Sequence, residues 1–250
     1  KKAMIKQAII PLAGLGTRLL PLTSVLPKEL LPINGRPALD YILDECLESG
    51  IKEIILIISK KKKMIKDYFY KDHFYKKIIK MKSGDKRLKL EYARIKKLKK
   101  MIKFVYQNSP KGTGDALLKC EKHIKSKHFL LLLPDDLILK RNCSQDMIKL
   151  YKKYGYSIIA SKKVKSNDVS RWGIFNCKKF IKNNFFITNV IEKPSKRIAP
   201  SNYAVIGRYI LPKNIFKILK KQKAGQNGEV HVTDAIKKLI DSKNKFVGHI

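Results

Sequence analysis

Apolar residues in this chain fall into short continuous runs, separated by stretches in which they recur at helical spacing. The first run, QAIIPLA (7–13), ends at Gly14 and predicts a buried strand. PALDYILDECLES (37–49) has the helical period, with Pro37 fitting a first turn and Gly50 following the end. KEIILIIS (52–59) predicts a second buried strand, and 61–70 a second helix. Strand, loop, helix, strand, helix is the order of a parallel doubly wound α/β sheet.

The rhythm then changes. Residues 71–103 are basic, helix-prone and broken at Ser83-Gly84, which predicts a helical insertion packed on the side of the sheet. KFVYQ (103–107) resumes the strands, and GTGDALLKCEKHI (112–124) is a glycine turn running into a helix. HFLLLLPDD (128–136) predicts a strongly buried strand ending in two carboxylates. SQDMIKLYKKYG reads as a helix and YSIIASKKV as a strand. Beyond about residue 165 come the shorter strands GIFNC, FFITNVIEK and YAVIGRYIL, then helices at 212–221 and about 230–242. No linker or repeat interrupts the chain. It predicts a single domain of two lobes, one over about 1–140 and one over about 141–250.

Composition narrows the function. No apolar run approaches the ~20 residues of a membrane span, and KKAMIKQAIIPLAG lacks the long apolar core and cleavage site of a signal peptide. Cys46, Cys120, Cys143 and Cys177 are scattered, without metal or disulfide spacing, so reduced thiols and a cytoplasmic location are expected. The net charge of +36 would ordinarily suggest nucleic acid. Yet only eight of the 56 basic residues are arginine, the lysines run along the whole chain, and no aromatic-interleaved basic stripe occurs. Adventitious polyanion binding is expected, with no specific nucleic-acid partner and no membrane partner.

The candidate chemistry begins at PLAGLGTRLLPLTSVLPKELLPI (11–33). A dinucleotide fingerprint would need a third glycine where Leu19 stands, and an acidic ribose partner where Lys60–Lys63 follow the second strand. A Walker loop would need G-K-[ST], which is absent. What remains is a turn whose backbone N–H groups can face phosphate, with Arg18 and Lys28 as cations; the competing reading is a tight turn with solvated basic residues. Asp135-Asp136 reads either as a turn pair or as a hard-cation site at a strand's carboxyl end. Glu192-Lys193-Pro194 also closes a strand, a weak signal by itself.

Together these motifs resemble the sugar-1-phosphate nucleotidyltransferases, and among them the bacterial UTP–glucose-1-phosphate uridylyltransferases. The likeness runs from AIIPLAGLGTRLLP and PKELLPI through ESGIKEIILI, PKGTGDAL, LLLLPDD, VSRWGI, VIEKPS and SNYAVIGRYIL to GEVHVTDAIKKL. It implies a Rossmann-like doubly wound mixed sheet of the nucleotide-diphospho-sugar transferase type, with a helical insertion. It further implies uridylyl transfer from UTP to glucose 1-phosphate, yielding UDP-glucose and pyrophosphate with Mg²⁺, by a homo-oligomer (dimer or tetramer). The family's nucleotide loop falls on Leu12, Ala13, Gly14, Gly16 and Thr17, and its catalytic phosphate-binding cations on Arg18, Lys28 and Lys193. Glu29 and Gln107 match the readers of the uracil edge, and Gly112 a position close to the base. Asp135 matches the metal ligand, and Gly173 and Glu192 the sugar contacts.

Three departures accompany the likeness. Ser24 stands where the family has a lysine, and 71–103 lacks that region's acidic pattern. The Y-D-x-G segment, which carries the family's second metal carboxylate, has no counterpart before Ile250. The near alternative is thymidylyl transfer to the same sugar phosphate, and the missing carboxylate segment supports a second one, a non-catalytic UDP-sugar-binding relative.

Overall fold

The computed structural model describes residues 4–225 and 228–250. In chain order the elements are β1 (Gln7–Pro11), β2 (Pro32–Ile33), β3 (Arg36–Pro37), α1 (Ala38–Glu48), β4 (Glu53–Ile58), α2 (Lys63–Tyr70), α3 (His73–Met81), α4 (Lys86–Met101), β5 (Ile102–Tyr106), α5 (Thr113–Leu118), β6 (His128–Leu132), α6 (Cys143–Tyr154), β7 (Ser157–Lys163), β8 (Gly173–Ile181), β9 (Asn184–Glu192), β10 (Tyr203–Pro212), α7 (Ile215–Lys221), α8 (Val232–Asp241) and β11 (Phe246–His249). No described helix is long and apolar enough to cross a membrane.

The strands form one sheet in the order β5-β4-β1-β6-β10-β7-β11-β9-β8. The first four are parallel, as the strand–helix alternation predicts. β10 then runs antiparallel to both β6 and β7, which makes the sheet mixed. Strands β4 and β6 read as unbroken apolar runs because both faces of the sheet are covered. The period of two sends Ile54, Leu56 and Ile58 towards Leu39, Ile42, Phe69 and Met147, on α1, α2 and α6. Ile55 and Ile57 go the other way, into a cluster with Ala116, Leu219 and Ile236 of α5, α7 and α8.

The insertion is helical and breaks where Ser83-Gly84 predicts. It adds little to the core: α3 buries no residue and α4 only Leu98. Arg94 on α4 instead clamps α1, with Nε donating to Asp44 Oδ1 at 2.5 Å and Nη1 to Asp40 Oδ2 at 3.2 Å.

The small β2–β3 hairpin and β11 lie outside the sequence-based expectation. FVGH has neither length nor alternation to mark it. It is a strand because β7 and β9 both present backbone groups to it, in parallel and antiparallel register. The helix expected at 212–221 starts at Ile215, since β10 continues through Pro212.

His128, the first residue of β6, is 9% exposed and hydrogen-bonded through Nδ1 to the Tyr151 hydroxyl at 3.0 Å. Burial, reinforced by nearby Lys127, pushes its pKa down to about 4. Between pH ~6.5 and that value the unfolded chain binds a proton that the folded chain refuses. Stability from this group is therefore complete above pH ~6.5 and lost as pH falls, by at most about 3 kcal/mol. Unfolding measured across pH 4–7 should show a shallower loss for His128→Gln than for the parent; parallel curves would refute it.

Candidate active site

The parallel strands β1, β4, β5 and β6 all end at one edge, the edge at which open α/β sheets bind ligands. The loop after β1 lies there. Leu12 and Ala13 are buried, and Leu12 N donates to Ile57 O at 2.7 Å, so their side chains anchor the loop. A Cβ on Gly14 would meet nothing, which leaves open space above it. Gly16 takes a left-handed φ of 69°, and its carbonyl accepts from Thr23 Oγ1 at 2.8 Å. The Ser24 hydroxyl is used within the loop, donating to Pro21 O at 2.6 Å.

A cavity of about 630 Å³ opens beside this loop, lined by Gly16, Thr17, Arg18, Lys28, Glu29 and Asp135 among others. Lys28 Nζ is ion-paired with Asp135 Oδ1. Arg18 Nη2 stands 3.9 Å from the other oxygen of the same carboxylate, with its side chain 91% exposed. Two cations thus converge on one half-exposed acid. The neighbouring acid is engaged elsewhere, since Asp136 Oδ2 accepts from Gly207 N at 2.8 Å. Asp136 is thus tied to β10, while Asp135 lies in the turn after β6 and also lines the cavity, so the turn reading and a cavity-facing carboxylate hold together at Asp135.

Glu29 is buried, and both its oxygens accept from Lys62 Nζ, at 2.7 and 2.8 Å. Burial lowers the Lys62 pKa, and Glu29 opposes that shift. Any contact Glu29 makes with a base is therefore through a carboxylate already held by a lysine. Lys62 lies in the lysine run that argued against a dinucleotide site, and nothing local in that run singles it out.

Gln107 follows β5 and is 5% exposed. Its Nε2 donates to Asp115 Oδ2 at 2.7 Å and to Gly112 O at 3.3 Å. Gly112 has φ 92°, and a Cβ there would lie 2.5 Å from Val230 O. Gly114 N donates to that same carbonyl at 2.7 Å. The glycine turn is thus docked on the segment before α8, which joins two distant motifs and gives Gly112 a steric reason for being glycine.

Gly173 pairs directly with Glu192 in the β8–β9 register, and a Cβ on it would come within 3.1 Å of Glu192 Oε2. Lys193 N donates to Trp172 O at 3.0 Å, and Lys193 holds a positive φ of 46°, uncommon for a non-glycine residue. These three residues form a second group. Tyr209 on β10 is buried, and burial first, then the charges of Asp136 and Glu192, raise its phenol pKa.

Among the described residues no three His, Cys, Asp or Glu side chains cluster as a metal cage. Magnesium is commonly held by one or two carboxylates together with substrate phosphates. A half-exposed Asp135 lining a cavity of about 630 Å³, with two cations able to share substrate phosphates, fits that kind of site.

The sequence profile described as Nucleotidyl transferase matches residues 7–250. The UTP–glucose-1-phosphate uridylyltransferase of Streptococcus pyogenes is 37% identical over 250 aligned positions, covering 97% of this chain and 81% of the relative. A UDP-glucose pyrophosphorylase solved in complex with UDP-glucose superposes with a TM-score of 0.85 at 33% identity, covering 98% of this chain and 90% of that one. A UTP-bound enzyme of the same kind from Acinetobacter baumannii gives 0.87 at 31% identity, covering 98% and 86%.

Gly207 is where β10 approaches the acidic loop most closely. An added Cβ would sit 2.6 Å from Leu133 Cβ and 2.8 Å from Asp136 Oδ2. Overpacking of this kind costs about 1–3 kcal/mol. Gly207→Ala should lower the thermal unfolding midpoint by several degrees, roughly 2–4 °C per kcal/mol for a chain this size. An unchanged midpoint would contradict the close approach.

Proposed function

Since the chain belongs to the nucleotidyl transferase family, we propose that it transfers a uridylyl group from UTP to α-D-glucose 1-phosphate, releasing pyrophosphate. The observation that carries this reading is the convergence of Lys28 and Arg18 on Asp135 at the carboxyl edge of the sheet. The relatives named for the same reaction support it.

The chemistry follows from the charges. A phosphate oxygen of the sugar phosphate attacks the α-phosphorus of UTP in line, and the bond to the β-phosphate oxygen breaks. The nucleophile has a second pKa near ~6, so it is already anionic at neutral pH and needs no general base. What it needs is help in approaching another polyanion. The backbone of Leu12–Thr17 cradles the triphosphate, and Arg18 and Lys28 neutralise it as charge passes to pyrophosphate. Lys28 is held by Asp135, which keeps its ammonium at the cavity wall. Asp135 would hold Mg²⁺, which when bound supplies further neutralisation of phosphate oxygens. Gln107 faces the base, Gly173 and Glu192 the sugar, and Lys193 the phosphates of the product. The part up to about residue 140 is then the nucleotide side and the remainder the sugar side.

Pyrophosphate release should be observed with UTP, glucose 1-phosphate and Mg²⁺, and should exceed release with dTTP. Lys28→Ala should lower kcat by about 10²–10³, the usual loss for one electrostatic stabiliser of a transition state, with an unchanged melting temperature. A wild-type rate in that variant would refute the site, and faster turnover of dTTP would refute the uridylyl assignment.

A further inference from the structure

A glutamine amide can face a ligand with either its oxygen or its nitrogen, and its shape alone does not decide which. Its neighbours decide. The two groups touching the Gln107 amide inside the protein are Asp115 Oδ2 at 2.7 Å and Gly112 O at 3.3 Å. A carboxylate and a carbonyl oxygen can only accept, so the –NH₂ must face them. Oε1 is turned the other way. Among the described residues it has no donor, and it is not one of the fully enclosed atoms left without a partner. Gln107 therefore offers a lone pair, not an N–H, at the edge where the strands end.

From this geometry we infer that Asp115 is the positioning residue that sets base choice, by locking the Gln107 amide so that Oε1 accepts from an imide N–H. The inference rests on the reading that this cleft holds a pyrimidine nucleotide. Uracil and thymine carry a donor at N3; cytosine has a lone pair there. Opposed lone pairs forfeit a hydrogen bond and leave both groups desolvated, which penalises cytidine nucleotides. Asp115 is itself anchored. It lies in the first turn of α5, its side chain is 17% exposed, and Lys119 Nζ is 3.4 Å from its second oxygen. Glycine at 112 and 114 lets the whole turn sit against Val230, so the lock is held from behind.

Asp115→Asn breaks the logic with almost no change of shape. Its amide can donate to Gln107 Oε1, which removes the shorter of the two constraints and leaves only the 3.3 Å contact with Gly112 O against the glutamine turning over to present Nε2 to the base. The test is equilibrium binding of UTP and of CTP to the full chain, with melting temperatures for each protein. The parent should bind UTP about tenfold or more tightly than CTP. That ratio should fall towards one in Asp115→Asn and persist in Asp115→Glu. A purely structural role would weaken both nucleotides together and leave the ratio unmoved. An unmoved ratio in folded Asp115→Asn overturns the inference, while loss of the ratio in Gln107→Ala alone would leave the base reader intact without its lock. No preference in the parent overturns the base reading itself. A ligand variant tests the same contact without mutation: UTP methylated at N3 has no N–H to give and should bind the parent about tenfold more weakly. Equal binding of UTP and its N3-methyl form would also overturn the inference.

Discussion

Arg208 is wholly buried, and the architecture turns on the partner it must therefore have. Its Nε donates to both oxygens of Glu45 at 3.0 Å, and Nη2 adds a third bond at 2.9 Å. Nη1 donates to Leu133 O and Gly207 O, at 3.1 and 3.0 Å. Glu45 also accepts from the backbone and hydroxyl of Ser144. One ion pair thus ties α1, β10, the first turn of α6 and the end of β6. Removing either partner of such a pair strands a charge in the interior, at about 3–5 kcal/mol. The end of β6 is where the acidic loop begins, so the constraint that satisfies Arg208 also determines where Asp135 stands.

The loop is then held twice more. Leu133 N donates to Gly207 O and Asp136 Oδ2 accepts from Gly207 N, each at 2.8 Å, so β10 clasps both sides of Pro134 and Asp135. Opposite it, the Lys62–Glu29 pair secures the turn that carries Lys28. The groups proposed to meet phosphate line the cavity, and the groups that hold them lie beneath. This division suits a reaction between two anions. Cations at a cavity wall, Arg18 exposed and Lys28 partly buried, can exchange a carboxylate for phosphate, whereas their supports must not move when they do.

The net charge of +36 contributes little to this arrangement. The cations that matter are distinguished by what fixes them. Lys28 is directed by Asp135 and Lys62 by Glu29, while most of the lysines of α3 and α4 are solvated. Those helices border the sheet through Leu98 and the Arg94 clamp and add little buried apolar surface.

Much of this protein is legible in its linear order. Unbroken apolar runs that end in Gly14 and in Asp135-Asp136 mark the central strands, because burial on both faces admits no polar alternation, and they mark the edge at which open α/β sheets bind ligands. The glycine loop, with Arg18 and Lys28 in place of a third glycine, is legible as a turn able to face phosphate, and equally as a tight turn with solvated basic residues. What the sequence could not disclose are the pairings: Arg208 with Glu45, Lys62 with Glu29, Gln107 with Asp115, Gly112 with Val230. β11 belongs with them, a strand only because two other strands flank it. Local patterns report how each segment meets water and its own backbone. A buried charge or an amide with two possible faces is decided by whatever the folded chain brings against it, and only the tertiary structure supplies that neighbour.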